Sequence, residues 1–146
     1  MQIKRILVPV DFSEQSKHAL HEACLWAHQN GADLTVLNVH EIEALTIMDF
    51  SYVESPDHLN KACDHAENIL RAWVAAVPTK PANIRVEVKT GGAVDTIIEA
   101  SKDHDLVIMG THGRTGISHF LMGSVTERVA QGAKCSVLIV RPKATA

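Results

Sequence analysis

Short apolar segments and longer segments with helical periodicity alternate along the whole chain. Most of the short segments are continuous apolar runs, as expected for strands that are covered on both faces. Between them, apolar residues recur every three or four positions, which predicts amphipathic helices. The predicted strands are Ile3–Val10, Leu34–Val39, Ile84–Lys89, Leu106–Met109 and Ser136–Val140.

The resulting order, β-α-β-α-β-α-β-α-β, predicts an α/β fold. Alternating elements of this kind form an open parallel sheet with helices on both faces, and their crossovers are right-handed. No internal repeat or linker interrupts the pattern, and 146 residues suit one domain with a proper core. We therefore expect a single domain that spans residues 1–146.

The predicted helices begin and end at residues with suitable capping chemistry. Ser13 can serve as the N-cap of the first helix, and Gly31 suits the left-handed position that ends it. The second helix has Ser55 as its N-cap and Pro56 at its first position. A third helix follows the Gly91–Gly92 turn, and a short fourth helix leads to the last strand.

The patterns of three segments allow more specific structural predictions. Residues 84–89 alternate apolar and charged side chains, so this strand shows one face to water and belongs at a sheet edge. Val137–Val140 is apolar on both faces and lies at the C-terminal edge, a combination that invites pairing with another chain. His40–Glu54 has no clear period and is predicted to be a long loop.

Composition and charge narrow the possible functions. The net charge of −3 does not provide the excess of positive charge that is typical of proteins that bind nucleic acid or an anionic membrane. No apolar run approaches the roughly 20 residues that span a bilayer, and the N-terminal segment lacks the apolar stretch of a signal peptide. The three cysteines, without CxxC spacing, fit buried free thiols in a reducing cytosol. We therefore expect a cytoplasmic protein without nucleic-acid or membrane partners.

The segment 105–127 contains the strongest candidate chemistry. A buried strand ends at Gly110 and leads into a glycine-rich loop that closes at Gly123. The next four residues form the pattern of a capping box, in which Ser124 accepts from the Glu127 amide and Glu127 reaches back to the Ser124 amide. Free backbone N–H groups and the positive end of a helix dipole hold phosphate in such an arrangement. The sequence therefore predicts a phosphate site here.

The position of this site follows from the fold class. Ligands in open parallel sheets bind beyond the carboxyl ends of the strands, where the strand order reverses. Two loops are candidates for that position: Val10-Asp11-Phe12 after the first strand and Gly110–Gly123 after the fourth. If these two strands are neighbours, Asp11 and the glycine loop face one another.

Four sequence segments resemble those of a known family. The spacing Gly110-x2-Gly113-x9-Gly123-Ser124 is similar to the signature of the ATP-binding branch of the universal stress protein family. Residues 6–13 (ILVPVDFS), 105–114 (DLVIMGTHGR) and 136–141 (SVLIVR) resemble the family's first, fourth and last strands. The resemblance covers essentially the whole chain. It implies a Rossmann-like sheet of five strands in the order 3-2-1-4-5, of the adenine nucleotide alpha hydrolase type, with ATP between the first and fourth strands.

The resemblance also implies roles for individual residues. Glycine backbones and the first amides of the fourth helix approach the triphosphate, Asp11 lies near the ribose or a phosphate-bound metal, and Arg114 is a candidate to pair with phosphate. Pro9 and Val39 are expected near the adenine and Met109 along the cleft wall, while the phosphates are the main ligands of Mg²⁺. The residues expected to bind nucleotide are Pro9, Asp11, Val39, Met109, Gly110, Thr111, Gly113, Arg114, Gly123, Ser124, Val125 and Thr126.

The chain departs from the family pattern at one place, and other phosphate-binding classes do not fit it. Where relatives often carry Gly-x-Pro before the third helix, this chain has Gly91-Gly92-Ala93, outside the glycine signature. A P-loop needs a lysine after its glycines, and a dinucleotide fingerprint needs GxGxxG where the chain has Asp11-Phe12-Ser13. A phosphoacceptor response regulator needs an aspartate at the end of its third strand, where the chain has Lys89-Thr90.

Two functions of different classes remain open. We favour a regulatory module in the stress response, in which ATP changes the glycine loop or the dimer and an unidentified protein partner responds. The alternative is a slow ATPase or a phosphotransferase that acts through Asp11 and a metal ion. Hydrolysis needs a base near the γ-phosphate, for which Asp11 and His112 are candidates, but the sequence contains no convincing catalytic set. The resemblance further implies a homodimer that pairs through the last strand, Ser136–Val140.

Overall fold

A computed structural model of the chain describes residues 1–41, 45–47, 50–52, 55–112 and 122–143. The helices within these ranges are α1 (Glu14–Asn30), α2 (Pro56–Ala76), α3 (Ala93–Ser101) and α4 (Ser124–Gly132). The strands are β1 (Arg5–Pro9), β2 (Asp33–His40), β3 (Leu45–Ile47), β4 (Phe50–Tyr52), β5 (Ile84–Thr90), β6 (Leu106–Gly110) and β7 (Ser136–Val140).

Five of the strands form a parallel sheet in the order β5-β2-β1-β6-β7. Counted along the chain as five sheet strands, this order is 3-2-1-4-5, so the predicted topology is confirmed. The chain builds outward from β1 to β2 and β5 on one side and to β6 and β7 on the other. The strand order therefore reverses between β1 and β6, which are neighbours.

The segment between β2 and α2 differs from its prediction. We expected His40–Glu54 to be a long loop, but β2 extends to His40, and β3 and β4 pair as an antiparallel ladder. Leu45 lies opposite Tyr52 in this ladder, and Ile47 lies opposite Phe50. Strands of three residues are too short to give a recognisable alternation in sequence, so periodicity did not reveal them.

The first two helices begin as their capping residues predict. The Ser13 Oγ accepts from the Ser16 N–H at 3.1 Å, and the Ser55 Oγ accepts from the His58 N–H at 3.3 Å. At the end of α1, Gly31 has a φ of 63°, the left-handed conformation that glycine adopts without steric cost. These ends depend on local chemistry alone, and all three predictions are confirmed.

The start of α4 differs by one residue from the predicted capping box. Gly123 is the N-cap, with an extended backbone (φ −61°, ψ 149°), and Ser124 is the first helical residue. The Glu127 N–H donates to the Gly123 carbonyl at 2.9 Å, as in an ordinary helical turn. The predicted box is wrong because the Gly123 N–H is held by the Thr111 carbonyl at 2.7 Å, which puts Gly123 in the cap position.

Apolar side chains form one cluster on each face of the sheet. Helices α1 and α2 cover the face that carries Ile6, Val8 and Ile108, and α3 and α4 cover the face that carries Leu7 and Val107. Neighbouring residues of a strand point to opposite faces, which explains the continuous apolar runs of β1 and β6. Each large side chain buried in this way contributes about 1.5–3 kcal/mol to stability.

The two edge strands differ in character. The alternating strand β5 lies at one edge, as predicted, and β7 lies at the other with its apolar residues half-buried. The expectation of buried free thiols holds for Cys24, whereas Cys63 and Cys135 are half-buried.

Over the described ranges, the helices are all too short or too polar to cross a membrane.

Candidate functional site

The sheet opens between β1 and β6, where the strand order reverses. The ladder between these strands covers two residue pairs and ends with Leu7 opposite Val107. By contrast, β1 pairs with β2, and β6 with β7, over five residue pairs each. The carboxyl ends of β1 and β6 are therefore not paired with one another. Ligands in open α/β sheets bind at such a position.

Asp11 lies in a tightly bonded turn directly after β1. Its Oδ1 accepts from the Ser13 N–H at 3.0 Å, and its own N–H donates to the Ser16 Oγ at 3.3 Å. The Ser16 hydroxyl donates to the Ser13 carbonyl at 2.9 Å, which joins the turn to α1. The Val10 carbonyl accepts from the Asn38 Nδ2 at 2.8 Å, which joins the turn to β2. These bonds fix the position of the Asp11 carboxylate at the end of β1.

Sequence reasoning did not identify Ser16 or Asn38 as parts of this turn. Asn38 carries a signal that could have been used, because it is an amide within the apolar run of β2 and is only 6% exposed. A buried amide needs hydrogen-bond partners, and such a residue next to a candidate site is a good candidate for a supporting role. Ser16 gives no comparable signal, because Ser13 already accounts for the start of α1.

Phe12 adopts a left-handed backbone conformation within the same turn. Its φ is 65°, and it is the sole non-glycine residue with a positive φ in the described part of the chain. A bulky residue in this conformation costs on the order of 1–3 kcal/mol, so its surroundings must hold it there. Sequence reasoning did not foresee this strain, which lies directly beside Asp11.

Pro9, Val39 and Met109 come together on the α3–α4 face of the sheet, at its carboxyl end. Met109 is 6% exposed and belongs to the apolar cluster of that face, and Val39 is half-buried against the same cluster. Pro9 follows Leu7 by two residues in β1 and therefore points to the same face. The three side chains form an apolar wall beside the open ends of β1 and β6.

Gly110 packs so closely against α1 that a side chain would not fit. A Cβ built at this position would lie 2.9 Å from the Gln15 carbonyl oxygen and 3.1 Å from the Gln15 carbonyl carbon. Both atoms belong to the backbone of the first turn of α1, which cannot move aside without displacing the helix. Packing alone thus explains glycine here, whether or not its backbone also approaches a ligand.

Two hydrogen bonds join the end of β6 to the start of α4. The Thr126 Oγ1 donates to the Gly110 carbonyl at 3.0 Å in a buried position, and the Gly123 N–H donates to the Thr111 carbonyl at 2.7 Å. The Gly123 N–H and the Thr126 hydroxyl, both in the expected phosphate-binding region, are therefore already bonded within the protein. A phosphate contact by either group would require one of these bonds to break.

The first turn of α4 presents backbone amides without a side-chain cap. Gly123 supplies no side-chain hydrogen bond, and the amides of Ser124, Val125 and Thr126 have no partner among the described residues. In a helix, the first amides point away from the chain along the axis, and the peptide dipoles add partial positive charge at this end. The start of α4 is thus chemically suited to an anion.

The remaining candidates differ in what the structure says of them. Gly113 and Arg114 lie outside the described residues. His112 follows β6, and its Nδ1 lies 3.0 Å from the Thr111 Oγ1. Its Nε2 is buried and has no hydrogen-bond partner in the part of the chain that the structure describes. A buried ring nitrogen without a described partner is unusual in a folded protein.

Among the described residues, the shifted pKa values belong to groups in the core or at the amino-terminal edge of the sheet. Burial raises the pKa of the Cys24 thiol to about 11, and burial with the charge of Asp105 raises the pKa of Cys135. Backbone N–H groups of Lys4 and Arg5 lower the pKa of the Asp105 carboxyl. Raised values make these thiols poor nucleophiles. The described residues also contain no group of three His, Cys, Asp or Glu side chains that could hold a metal ion.

A surface groove of about 540 Å³ lies between α2 and β5, away from the β1–β6 opening. Three of its lining residues are the acidic Asp64, Glu67 and Glu87. Carboxylates repel a triphosphate at short range, so the groove's chemistry is opposite to that of the start of α4. The opening between β1 and β6 is therefore the better candidate site.

Comparisons with known proteins agree with this fold. The family model described as "Universal stress protein family" matches residues 2–141. A universal stress protein of Methanocaldococcus jannaschii is 30% identical, and the alignment covers 96% of each chain. The solved structure of universal stress protein UspA from Lactobacillus plantarum is 28% identical, with a TM-score of 0.80 over 97% of this chain and 99% of that one.

A further solved structure is that of a universal stress protein in complex with cAMP. It is 22% identical and has a TM-score of 0.70 over 97% of this chain and 99% of that chain. At this identity the likeness shows the fold alone. The match of the family model over nearly the whole chain, together with the identity to the M. jannaschii protein, shows the family. The chain belongs to the universal stress protein family.

Proposed function

We propose that this chain binds ATP between β1 and β6 and acts as a nucleotide-dependent regulatory module in the stress response. The observation that carries the proposal is the uncapped start of α4, whose first amides have no partner among the described residues, beside the open ends of β1 and β6. Such a helix start binds phosphate through its N–H groups and its dipole. The cAMP complex of the similarly folded protein supports an adenine nucleotide as the ligand.

In this proposal, different parts of the cleft contact different parts of the nucleotide. The adenine lies against the apolar wall of Pro9, Val39 and Met109, Asp11 lies near the ribose or the Mg²⁺, and the triphosphate lies at the start of α4. The phosphates are the main ligands of the Mg²⁺. The proposed binding residues are Pro9, Asp11, Val39, Met109, Gly110, Thr111, Gly113, Arg114, Gly123, Ser124, Val125 and Thr126.

The alternative function is a slow ATPase or a phosphotransferase. The observation that favours it is the Asp11 carboxylate, which is held in a fixed turn at the end of β1, with His112 at the end of β6. Efficient hydrolysis also needs a positioned nucleophile and a base within hydrogen-bond reach of it. The described residues show no such set, so we place binding before turnover. Loss of ATP hydrolysis in Asp11→Asn with binding retained would favour the enzyme.

The proposal extends to the assembly and location of the protein. We propose that residues 1–146 act as one domain and that two copies pair through β7 in the cytoplasm. Strand β7 is a sheet edge with half-buried apolar residues, and such an edge favours pairing. A regulatory function also requires a protein partner that reads the nucleotide state. The net charge of −3 favours neither nucleic acid nor an anionic membrane in that role.

Ser124→Asp tests the proposed phosphate site. It adds a carboxylate at the first helical position of α4, which favours the helix by about 0.3–1 kcal/mol through the dipole. The same charge repels a triphosphate, so we expect the Kd for ATP with Mg²⁺ to rise at least about tenfold, or 1.4 kcal/mol. Isothermal titration calorimetry measures this change, and thermal unfolding checks that the variant stays folded.

Gln131→Glu is the matched control for Ser124→Asp. It makes the same change of charge on the same helix, about 10 Å further along the axis at 1.5 Å per residue. Because Gln131 is exposed near the end of α4, this variant should bind ATP like the wild type. Equal affinities for Ser124→Asp and the wild type would place the phosphates somewhere other than the start of α4.

A further inference from the structure

An aromatic contact joins the Asp11 turn to α2. The Phe12 ring meets the Trp73 ring edge to face, with the ring centroids 5.5 Å apart and the planes at 88°. Both side chains are half-buried and pack against the apolar cluster on the α1–α2 face. Edge-to-face pairs at this distance are attractive beyond the burial of their surface. The turn that holds Asp11 is thus attached to a helix that otherwise contributes none of the proposed binding residues.

Lys17 adds a second contact to Trp73. Its Nζ lies 5.2 Å from the centroid of the Trp73 ring, within the range of a cation–π interaction. Lys17 belongs to α1, so the turn, α1 and α2 meet at the Trp73 side chain. We call Phe12, Lys17 and Trp73 the aromatic clamp. Its position behind the turn, on the α1–α2 face, keeps it apart from the apolar wall on the other face of the sheet.

The backbone of Phe12 explains why this turn needs a clamp. Its φ of 65° is unfavourable for a bulky side chain, so the conformation persists only when other contacts hold it. The bond from the Ser13 N–H to the Asp11 Oδ1 spans Phe12, so a change of φ at Phe12 would alter the geometry of that bond. The backbone conformation of Phe12 is therefore linked to the direction of the Asp11 side chain.

We propose that Trp73 is a positioning residue for the nucleotide site. It holds the Phe12 ring, and through Phe12 it keeps the Asp11 carboxylate in the orientation that the bound nucleotide meets. The identity of the ligand, ATP with Mg²⁺, rests on the proposed function. The consequence is that the packing of α2 and the affinity for nucleotide are coupled, although α2 contributes none of the proposed binding residues.

Three tryptophan variants separate positioning from general packing. Trp73→Leu removes the ring that Phe12 meets, Trp73→Phe keeps an aromatic ring there, and Trp26→Leu makes the same deletion elsewhere. Trp26 is a matched control because it packs, half-buried, against the same cluster from α1, and no described ring contact links it to Phe12. We expect calorimetry to give at least fivefold weaker ATP binding for Trp73→Leu. The ATP affinities of the other two variants should stay within twofold of the wild-type value. All proteins are measured at a temperature well below their Tm.

A double-mutant cycle with Asp11→Asn shows whether Trp73 acts through Asp11. If it does, Trp73→Leu will have no further effect on ATP affinity once the Asp11 charge is absent, because the interaction it supports is already lost. A merely structural role would give the same fold-loss in both backgrounds. Full additivity, or an equal loss in Trp26→Leu, would overturn the proposal.

Amide hydrogen exchange tests the same proposal without nucleotide. The Asp11 and Ser13 N–H groups are hydrogen-bonded in the turn, so we expect them to be protected from exchange in the folded protein. Trp73→Leu should lower their protection at least tenfold more than Trp26→Leu does, and Trp73→Phe should preserve it. Unchanged protection would overturn the positioning role. If the wild type ignores ATP, the proposed function fails, and this readout still decides the role of Trp73.

Discussion

Asp105 shows how one carboxylate supports the fold without belonging to the cleft. Its Oδ2 accepts from the Lys4 and Arg5 N–H groups, both at 2.9 Å, at the amino-terminal edge of the sheet. These bonds lower the pKa of the carboxyl below its ordinary value of 3.8. A group with a lowered pKa in the folded state stabilises the protein above its unfolded pKa. That contribution is lost as the pH falls through the folded value.

Asp105→Asn should therefore destabilise the protein in a pH-dependent way. We expect the free energy of unfolding at pH 7 to fall by about 1 kcal/mol, a modest value because the site is partly exposed to solvent. The difference from the wild type should shrink as the pH falls from 3.8 through the lowered pKa of the folded state, where the folded carboxylate takes up its proton. Urea unfolding at pH 7 and pH 3 measures both values. Asp103→Asn, at an exposed neighbouring residue, should leave the free energy of unfolding unchanged at both pH values. A loss of stability in Asp105→Asn that does not depend on pH would contradict the explanation given for Asp105.

At the scale of residues, local chemistry was predictable and contacts between distant segments were not. Ser13 and Gly31 were identified because a cap depends on the few residues around it. The hydrogen bond from Asn38 to Val10 joins residues 28 positions apart. The pattern of residues along the chain does not show which distant residues meet, so this bond was not predicted. Gly110 was predicted for its glycine spacing, but the contact with the α1 backbone that excludes a side chain appears only in three dimensions.

The connection between β6 and α4 depends on a bond between elements. The buried Thr126 hydroxyl donates to the Gly110 carbonyl across 16 positions of sequence, and so ties the first turn of α4 to the end of β6. The two ends of the glycine-rich segment are thereby held next to one another. This arrangement keeps the first amides of α4 beside the open end of the sheet.

Thr126→Val tests how much the hydrogen bond from Thr126 to Gly110 contributes to stability. The substitution keeps the shape of the side chain but leaves the Gly110 carbonyl without its buried donor, which should lower the free energy of unfolding by about 1–3 kcal/mol. Thr126→Ser keeps the hydroxyl and should retain most of the stability. Chemical denaturation of the two variants measures the difference. If valine is as stable as serine at this position, the bond does not hold the two elements together.

At the scale of elements, long and strongly patterned segments were predicted and short ones were not. The strand Ser136–Val140 was predicted with its observed bounds, because a continuous apolar run has clear ends. The β3–β4 ladder was missed because three-residue strands carry no period. The start of α4 was misplaced by one residue, since the choice between Gly123 and Ser124 as N-cap depends on the bond to Thr111.

The assembly is a property of the whole molecule, and β7 is the proposed interface. Among the half-buried residues of this strand, Ile139 packs against neither apolar cluster. We expect light scattering at micromolar concentration to give about twice the chain mass of 15.9 kDa. Ile139→Glu should give a mass near 15.9 kDa, because a buried unpaired charge opposes pairing. Arg85→Glu, on the opposite sheet edge, should leave the mass unchanged, and a monomeric wild type would disprove the dimer.

At the scale of the molecule, the strand order came from the family resemblance, while the alternation of elements gave the class of fold. The alternation required a parallel sheet, and the alternating charges of β5 placed that strand at an edge. The opening between β1 and β6 could not be predicted from the pattern, because it depends on the register of the β1–β6 ladder, which the sequence does not reveal. The apolar wall likewise depends on three strands ending side by side.

The nucleotide content of the freshly purified protein shows whether this chain binds an adenine nucleotide. Denaturing the protein and separating the supernatant by anion-exchange chromatography would identify any bound nucleotide. The same preparation is then titrated with ATP and Mg²⁺ beside Gly113→Val, a change in the glycine signature that should crowd the phosphates. We predict bound adenine nucleotide, or saturable ATP binding, in the wild type and its loss in the variant. A protein that is purified empty and ignores ATP would contradict the proposed function and leave a family member that uses this fold without a nucleotide.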